Sequence, residues 1–223
     1  ARPQAMAYLR KLINLVLNFF HPSNGGKWSS YLASFLGHFT AFLANRVALE
    51  RSATRAGVMT RVIGSNCTKP VPEIEHRLND ELVDELVDMV LPLVQLGLHA
   101  KSGYMTVQSA ASARDLAAIA PGKVVDVLLV SATEALTSVG TPHRTSAALK
   151  MLATLTPVFL DPQLVPNGLI YLPEALELTL PGIDPNDPSK TEATFRFIAG
   201  ASARLQLQKL DAIQSNEEGT ADA

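Results

Sequence analysis

The chain has 223 residues, of which 47% are hydrophobic and 18% charged, and its formal net charge at pH 7 is −2. This length is large for one compact domain but suits four or five stacked helical hairpins, and the low charge content indicates that neighbouring structure covers part of the apolar surface. The charge balance gives no support for a domain that binds nucleic acid as a whole. The single cysteine, Cys67, excludes an intramolecular disulfide and a metal site of clustered cysteines.

Two helices are predicted before residue 51. In the first, residues 5–19, apolar side chains recur at helical spacing on one face: Leu9, Leu12, Ile13, Val16 and Phe20. Pro22 and the Gly25-Gly26 pair end it. The second, residues 27–50, repeats aromatic residues at spacings of four and three: Tyr31, Phe35, Phe39 and Phe42. The stretch 12–20 lacks a signal-peptide cleavage site, and no run approaches the roughly 18 apolar residues of a membrane span. We therefore expect a buried helix in a fragment of a longer chain.

Three more hairpins are predicted after residue 78. Their first helices begin near Asp80, Lys123 and Gly168, and their second helices near Tyr104, Pro142 and Pro188. Asn79 or Asp80 can cap the first of these helices, which is expected to kink at Pro92 and to bury a stripe of Leu82, Leu86, Met89 or Val90, and Leu93. In the final helix, Asp187 is the predicted N-cap, and Phe195 is expected to reach the core.

The spacing of about 40–46 residues between hairpins is that of HEAT-type helix pairs, which predicts an all-α, HEAT-like helical-hairpin solenoid. The expected organisation has an N-terminal hairpin at 1–51, an irregular linker or inserted segment at 52–78, three stacked hairpins at 79–210 and a polar tail at 211–223. Solenoids mostly bind and scaffold, so the chemistry is not expected to lie inside this chain.

No catalytic residue, cofactor or metal site is expected. Gly25-Gly26-Lys27 lacks the earlier Gly and the following Ser or Thr of a phosphate-binding loop, which favours a plain interhelix turn. Asp80, Asp84 and Asp88 form a carboxylate stripe without a partner at ligand spacing on an adjacent predicted helix, which indicates a solvated face. The histidines are scattered, and neither a metalloprotease nor a serine-hydrolase motif occurs.

The only basic cluster consists of Arg46, Arg51, Arg55 and Arg61, with Lys69 beyond. Their spacing can bring two or three side chains onto one side of a helix. Two interpretations stay open. The cluster is either a solvated helix end, where cations suit the C-terminal dipole, or a contact for a polyanion or a partner through Arg46, Arg51 and Arg55.

Three separated segments carry a resemblance, and they occur in this order: Phe20-His21-Pro22-Ser23-Asn24 with Gly26 and Trp28; Thr141-Pro142-His143-Arg144-Thr145; and Gly182-Ile183-Asp184-Pro185-Asn186-Asp187 with Ser189-Lys190 and Thr194-Phe195-Arg196-Phe197-Ile198-Ala199. They resemble segments of the very large, single-chain, HEAT-repeat proteasome activators, the Blm-type caps. The resemblance runs through most of residues 15–200, whereas residues 52–69 depart from the family pattern.

The resemblance implies a middle piece of a much longer chain that forms a dome over the proteasome core particle. Such caps open the gate without ATP and admit peptides or unfolded proteins, and nuclear roles in DNA repair and acetylated-histone turnover are ascribed to the family. Its members also hold inositol phosphates in basic openings of the dome, but no residue of those sites is carried over to this chain. The implied partners are the core particle, acetylated histones and inositol phosphates, all through the full-length chain. Neither direct nucleic-acid binding nor a membrane is expected, and the implied location is nucleus and cytoplasm.

Two other function classes stay open on the residues alone. One is a general HEAT-repeat scaffold for protein–protein interaction, which a pull-down of core particle by the longer chain would separate from a proteasome activator. The other is an enzyme, which an activity screen would address. The lack of an assembled catalytic set argues against the enzyme.

Overall fold

A computed structural model of the chain describes the backbone of residues 2–24, 26–56, 76–137 and 142–205, with side chains in 4–24, 26–52, 76–137 and 144–205. These residues form α-helices, 3-10 turns and connecting loops without a strand, which confirms the all-α prediction. The α-helices are α1 (Arg2–Leu17), α2 (Lys27–Ala56), α3 (Asp80–Leu98), α4 (Gly103–Ile119), α5 (Pro121–Thr137), α6 (Pro142–Phe159), α7 (Leu172–Thr179) and α8 (Pro188–Ser202).

The helices pack in two layers. In one layer α2 packs against α4, α4 against α6, and α6 against α8. In the other layer α1 lies on α3, and α5 lies on α7. The layers are joined because α3 packs on α4 and α5 packs on α6. Each helix pair thus stacks on the next pair along the chain, which is the arrangement of a HEAT-like solenoid.

Local sequence signals set the helix boundaries. The side chain of Asn79 accepts a hydrogen bond from the Leu82 N–H (3.1 Å) and caps α3 at the predicted position. Ser102 caps α4 in the same way, because a side-chain oxygen satisfies one of the free N–H groups of the first turn. The helix α5 begins at Pro121, two residues before the predicted start, since proline fits the first turn of a helix.

The core lies between the two layers, and α3 contributes much of it. Leu86, Val90 and Leu93 are buried as predicted, but Leu82 is only half-buried, and Val83 and Val87 are buried in addition. The helix is covered by α1, α2 and α4, so its buried face is wider than a single stripe.

Several large apolar side chains lie on the surface. In α2 the buried stripe is small or aliphatic (Ala33, Leu36, Thr40, Leu43 and Val47), whereas Tyr31 and Phe42 are exposed. The expectation that Phe195 reaches the core is wrong, because its side chain is 53% exposed. Phe197 is buried in its place and stacks on Phe159 of α6, with ring centroids 6.5 Å apart. In α1, Leu12 is exposed, and Ile13 and Phe20 are buried.

The segment Lys27–Ser52 of α2 is long and apolar enough to cross a membrane by length and composition, contrary to the expectation that no run approaches such a span. One such helix is weak evidence, since a core helix passes the same test. The buried stripe of α2 packs on α4, where Thr40 Oγ1 lies 3.0 Å from Ser112 Oγ. Its apolar residues therefore also serve helix–helix packing.

Candidate functional site

Arg46, Glu50 and Arg51 at the end of α2 form a cluster that we call the arginine clamp. Arg46 Nε donates to Glu50 Oε1 (2.7 Å), one helical turn later, and Arg46 Nη2 donates to the His76 carbonyl (2.8 Å). The other Glu50 oxygen, Oε2, accepts from the Leu78 N–H (2.7 Å). Glu50 is buried, and a buried carboxylate is stable only when its oxygens are paired and hydrogen-bonded. The pair thus fixes residues 76–78 against α2.

Arg51 joins three helices through its forked guanidinium group. Its Nη1 donates to the Ile119 carbonyl (2.9 Å) at the last residue of α4, where helical carbonyls lack partners within the helix. Its Nη2 lies 3.2 Å from Asp80 Oδ1 at the first residue of α3. The Asp80 side chain is almost fully exposed, so this ion pair adds little stability. The hydrogen bond to the α4 carbonyl is the more important contact.

The predicted basic site is therefore only partly described. Arg46 and Arg51 make intramolecular contacts that hold α2, α3 and α4 together. The side chain of Arg55, with Arg61 and Lys69, lies outside the described residues. A contact with a polyanion or a partner through Arg46, Arg51 and Arg55 stays a prediction. Sequence reasoning missed Glu50, although its spacing of four from Arg46 is the signal for a helical ion pair.

The carboxylate stripe of α3 is exposed, as predicted, but two of its members and the neighbouring Glu85 pair with cations on three other helices. Arg51 of α2 meets Asp80, Arg10 of α1 meets Glu85, and Lys123 of α5 meets Asp88. These partners are 29–75 residues away in sequence, so helical spacing could not reveal them. Within the described part of the chain, no group of three or more His, Cys, Asp or Glu side chains could hold a metal ion.

His99 ends α3 in a partly buried position. Its Nδ1 atom is buried without a hydrogen-bond partner. Burial, and then the positive charge of Arg144, lower the pKa of His99 below its usual value of 6.5. This environment favours the neutral imidazole in the folded chain. Cys67 lies outside the described residues.

The first segment that carries the resemblance builds the turn between α1 and α2. Phe20 is buried, and His21 Nδ1 lies 2.6 Å from Ser23 Oγ. Asn24 Nδ2 donates to the Asn18 carbonyl (2.8 Å). The side chains of this segment thus close the turn. Thr141 to His143 of the second segment lie outside the described side chains.

The last such segment closes the turn between α7 and α8. Asp187 Oδ1 accepts from the Ser189 and Lys190 N–H groups (3.1 Å each), which confirms the predicted N-cap. Thr191 Oγ1 donates to the Asp184 carbonyl (2.8 Å) and accepts from the Asp184 N–H (3.0 Å). A Cβ at Gly182 would overlap Thr194 Oγ1 of α8 and lie 2.7 Å from Leu149 Cδ1 of α6, so a side chain at this position would force one of these buried residues to shift. The segment thus joins α7 to α8 within one helix pair, and Gly182 lets it pack against α6 of the preceding pair.

A groove of about 770 Å³ lies between α1 and α3. It is lined by Met6, Ala7, Arg10, Lys11, Asn14, Leu15, Leu82 and Glu85. Two of its charged groups, Arg10 and Glu85, pair with each other across the groove. The lining is mainly apolar, which suits packing or binding rather than catalysis.

Comparison with known proteins assigns the chain to a family. A family model described as "Proteasome activator complex subunit 4, mid HEAT repeats region" matches residues 9–222. The chain belongs to this family. The match confirms the resemblance seen in the sequence, and the stacked helix pairs agree with a HEAT-repeat region. The segments that carry the resemblance at 20–28 and 182–191 form structural turns in this mid HEAT-repeat region.

Individual relatives bear related names. The chain is 30% identical over 201 residues to "Proteasome activator complex subunit 4" of Xenopus laevis and 29% identical over 201 residues to the protein of that name from Homo sapiens. It is 25% identical over 218 residues to "Proteasome activator subunit 4" of Arabidopsis thaliana. These alignments cover 89–90% of this chain but only 10–11% of each relative. The chain thus spans about a tenth of their length.

Proposed function

We propose that this chain is a structural segment of a proteasome activator, forming part of the wall of a HEAT-repeat dome that caps the proteasome core particle. The observation that carries the proposal is the family match over residues 9–222, in a chain whose relatives are named as proteasome activator subunits. The role is geometric: stacked helix pairs form a curved wall. The arginine clamp joins α2 to the next pair, α3 and α4, and the Asp184–Thr191 turn fixes α8 relative to α7.

The finer functions belong to the longer chain. The complete activator promotes ATP-independent degradation of peptides and of unfolded or acetylated proteins, and it contacts the core particle directly. Acetylated histones and inositol phosphates are its further partners, with a role in DNA repair and a location in nucleus and cytoplasm. The segment itself is not an enzyme and contacts neither nucleic acid nor a membrane. The relatives' names support the activator class, and the remainder rests on the family resemblance.

A pull-down with two baits tests the proposal. One bait is the tagged longer chain and the other is the tagged 223-residue chain, each mixed with purified core particle without ATP. We expect the longer chain to retain core particle and the 223-residue chain not to. A longer chain that fails to retain core particle would overturn the proposal, and a general HEAT-repeat scaffold would take its place.

A further inference from the structure

The helix α1 has three distinct faces. One face packs on the core, with Ile13 buried. A polar face carries Gln4, Arg10, Lys11, Asn14 and Asn18. Between them runs an exposed apolar stripe at spacings of four, three and four, formed by Tyr8, Leu12 and Leu15 of α1 and continued by Phe19 in the 3-10 turn that follows α1. A helix face that meets only water is normally polar. The apolar stripe therefore indicates a partner.

The helix α2 repeats this arrangement. Its buried stripe faces α4, through Thr40 beside Ser112 and Ser34 beside Tyr104. A second stripe of aromatic residues is exposed: Trp28 is 76% exposed, and Tyr31 and Phe42 are similarly accessible. At 3.6 residues per turn, this stripe lies roughly a third of a turn around the helix from the buried one. In α1 the exposed stripe likewise lies about a third of a turn around the helix from buried Ile13. The direction of rotation is the same as in α2 when each helix is viewed from its N-terminus.

The position of α2 in its layer explains why the stripe is open. Within the same layer, α4 is packed between α2 and α6, and α6 is packed between α4 and α8. In the described part of the chain, α2 has a layer neighbour on one flank only, which is α4. The aromatic stripe lies on the side of α2 that faces away from α4, where a further helix of the same layer would pack.

We propose that the two stripes, Tyr8–Phe19 on α1 and Trp28–Phe42 on α2, form one interface that receives the helical hairpin preceding α1 in the longer chain. The inference rests on the proposed function, because it requires this chain to be a segment of a longer activator. The relatives supply the argument for the occupant: each is about ten times as long as the part aligned to this chain. HEAT pairs contact only their neighbours in the stack, so an open apolar end face takes the adjacent pair.

The chemistry of the interface also constrains the occupant. The face of α2 toward α4 consists mainly of small or aliphatic side chains, and a Cβ at Gly37 would overlap Gln108 of α4. The open face instead presents large aromatic rings. Close packing at normal interaxial distances then requires small or aliphatic side chains on the incoming helix.

Trp28 is the only tryptophan of the chain and lies inside the proposed interface, so its fluorescence reports occupation. The experiment compares the 223-residue chain with the same chain extended by about 45 upstream residues of its reading frame, the length of one HEAT pair. Any tryptophan in the extension is replaced by phenylalanine. We expect blue-shifted Trp28 emission in the extended chain, and acrylamide quenching weaker by about two-fold or more, because the exposed ring becomes covered. Unchanged emission and quenching would overturn the proposal.

A pair of adjacent substitutions makes the test specific. Leu15 is 62% exposed and lies on the apolar stripe, whereas Asn14 lies on the polar face of the same helix. In the extended chain, Leu15→Gln should weaken the protection of Trp28, and Asn14→Gln, which adds no charge beside Glu85 in the groove, should leave it intact. Equal effects of the two substitutions on the quenching of Trp28 would contradict the assignment of the Leu15 face of α1 to the interface. Protection of Trp28 that grows with concentration in the 223-residue chain would show a second copy as the occupant and would also overturn the proposal. No core particle is used, so failure here is distinguishable from failure of the proposed function.

Discussion

The contact between α3 and α4 offers a quantitative test of the packing. Gly97 of α3 faces Ser109 of α4, whose Oγ is fully buried and has no hydrogen-bond partner. An alanine Cβ at position 97 would overlap Ser109 Oγ and lie 3.2 Å from Ser109 Cβ. Gly97→Ala therefore gains up to about 1 kcal/mol of helix propensity but costs about 1–3 kcal/mol of overpacking. We expect net destabilisation of up to about 2 kcal/mol.

Ser109→Ala removes both the overlapping atom and an unpaired buried hydroxyl. The single variant should be neutral or slightly stabilised, because an unpaired buried polar group costs about 1–3 kcal/mol and its removal leaves only a small void. The double variant should be at least as stable as the original chain, since it keeps the helix-propensity gain without the overlap. The expected coupling between the two sites is about 1–3 kcal/mol in favour of the double variant.

Urea unfolding followed by circular dichroism at the helical band measures all four chains of this cycle. Gly103→Ala is the matched control, because a Cβ at Gly103 meets no atom within 4 Å. It should not destabilise the chain. The reasoning is refuted if the changes in unfolding free energy of the two single variants add up, within about 0.5 kcal/mol, to the change in the double variant. It is also refuted if the Gly97→Ala variant is as stable as the Gly103→Ala control.

The remaining predictions concern the end of the chain and the effect of pH. Phe197→Ala should lower the free energy of unfolding by about 3–5 kcal/mol, because Phe197 is fully buried, and exposed Phe195→Ala should cost much less; urea melts of the 223-residue chain with the reverse order would contradict the assigned core. Asp187→Ala should cost about 1 kcal/mol through loss of the α8 cap, measured in the same melts, and an unchanged midpoint would argue against the cap. The pKa of His99 is lower in the folded chain than in the unfolded one, so its contribution to stability is complete above the unfolded value of 6.5 and is lost as pH falls through the folded pKa. In the His99→Gln variant, the free energy of unfolding should fall less between neutral and acidic pH than in the original chain. An equally steep fall in the variant would show that other groups cause the pH dependence.

The sequence predicted the features that depend on neighbouring residues. Asn79 and Asp187 were identifiable as caps because each lies just before an apolar helical period, and Asp187 precedes a first-turn proline. The segments at 20–28 and 182–199 were sufficient to suggest the family, which the comparison confirmed. The division into hairpins at 1–51 and 79–210, the linker at 52–78 and the tail at 211–223 stays a prediction.

Features that depend on residues far apart in the sequence could not be predicted. Phe195 and Phe197 are two residues apart and thus lie on opposite sides of α8, and only the position of α6 decides which is buried. In α2, the aromatic residues and the aliphatic residues each follow a helical period, so the pattern alone does not say which stripe faces α4. Arg10 and Glu85 are 75 residues apart in sequence, and their pairing follows from the packing of α1 on α3.

Stimulation of peptide hydrolysis tests the central claim most directly. A cap opens the gate by binding the open ring arrangement more tightly than the closed one, and we assign the contacts with that ring to the longer chain. Purified core particle with a fluorogenic peptide and no ATP should respond to increasing amounts of the longer chain with a rising hydrolysis rate. The 223-residue chain should leave the core particle at its basal rate over the same range. Dose-dependent activation by the 223-residue chain would contradict a purely structural role, and no stimulation by the longer chain would contradict its assignment as an activator.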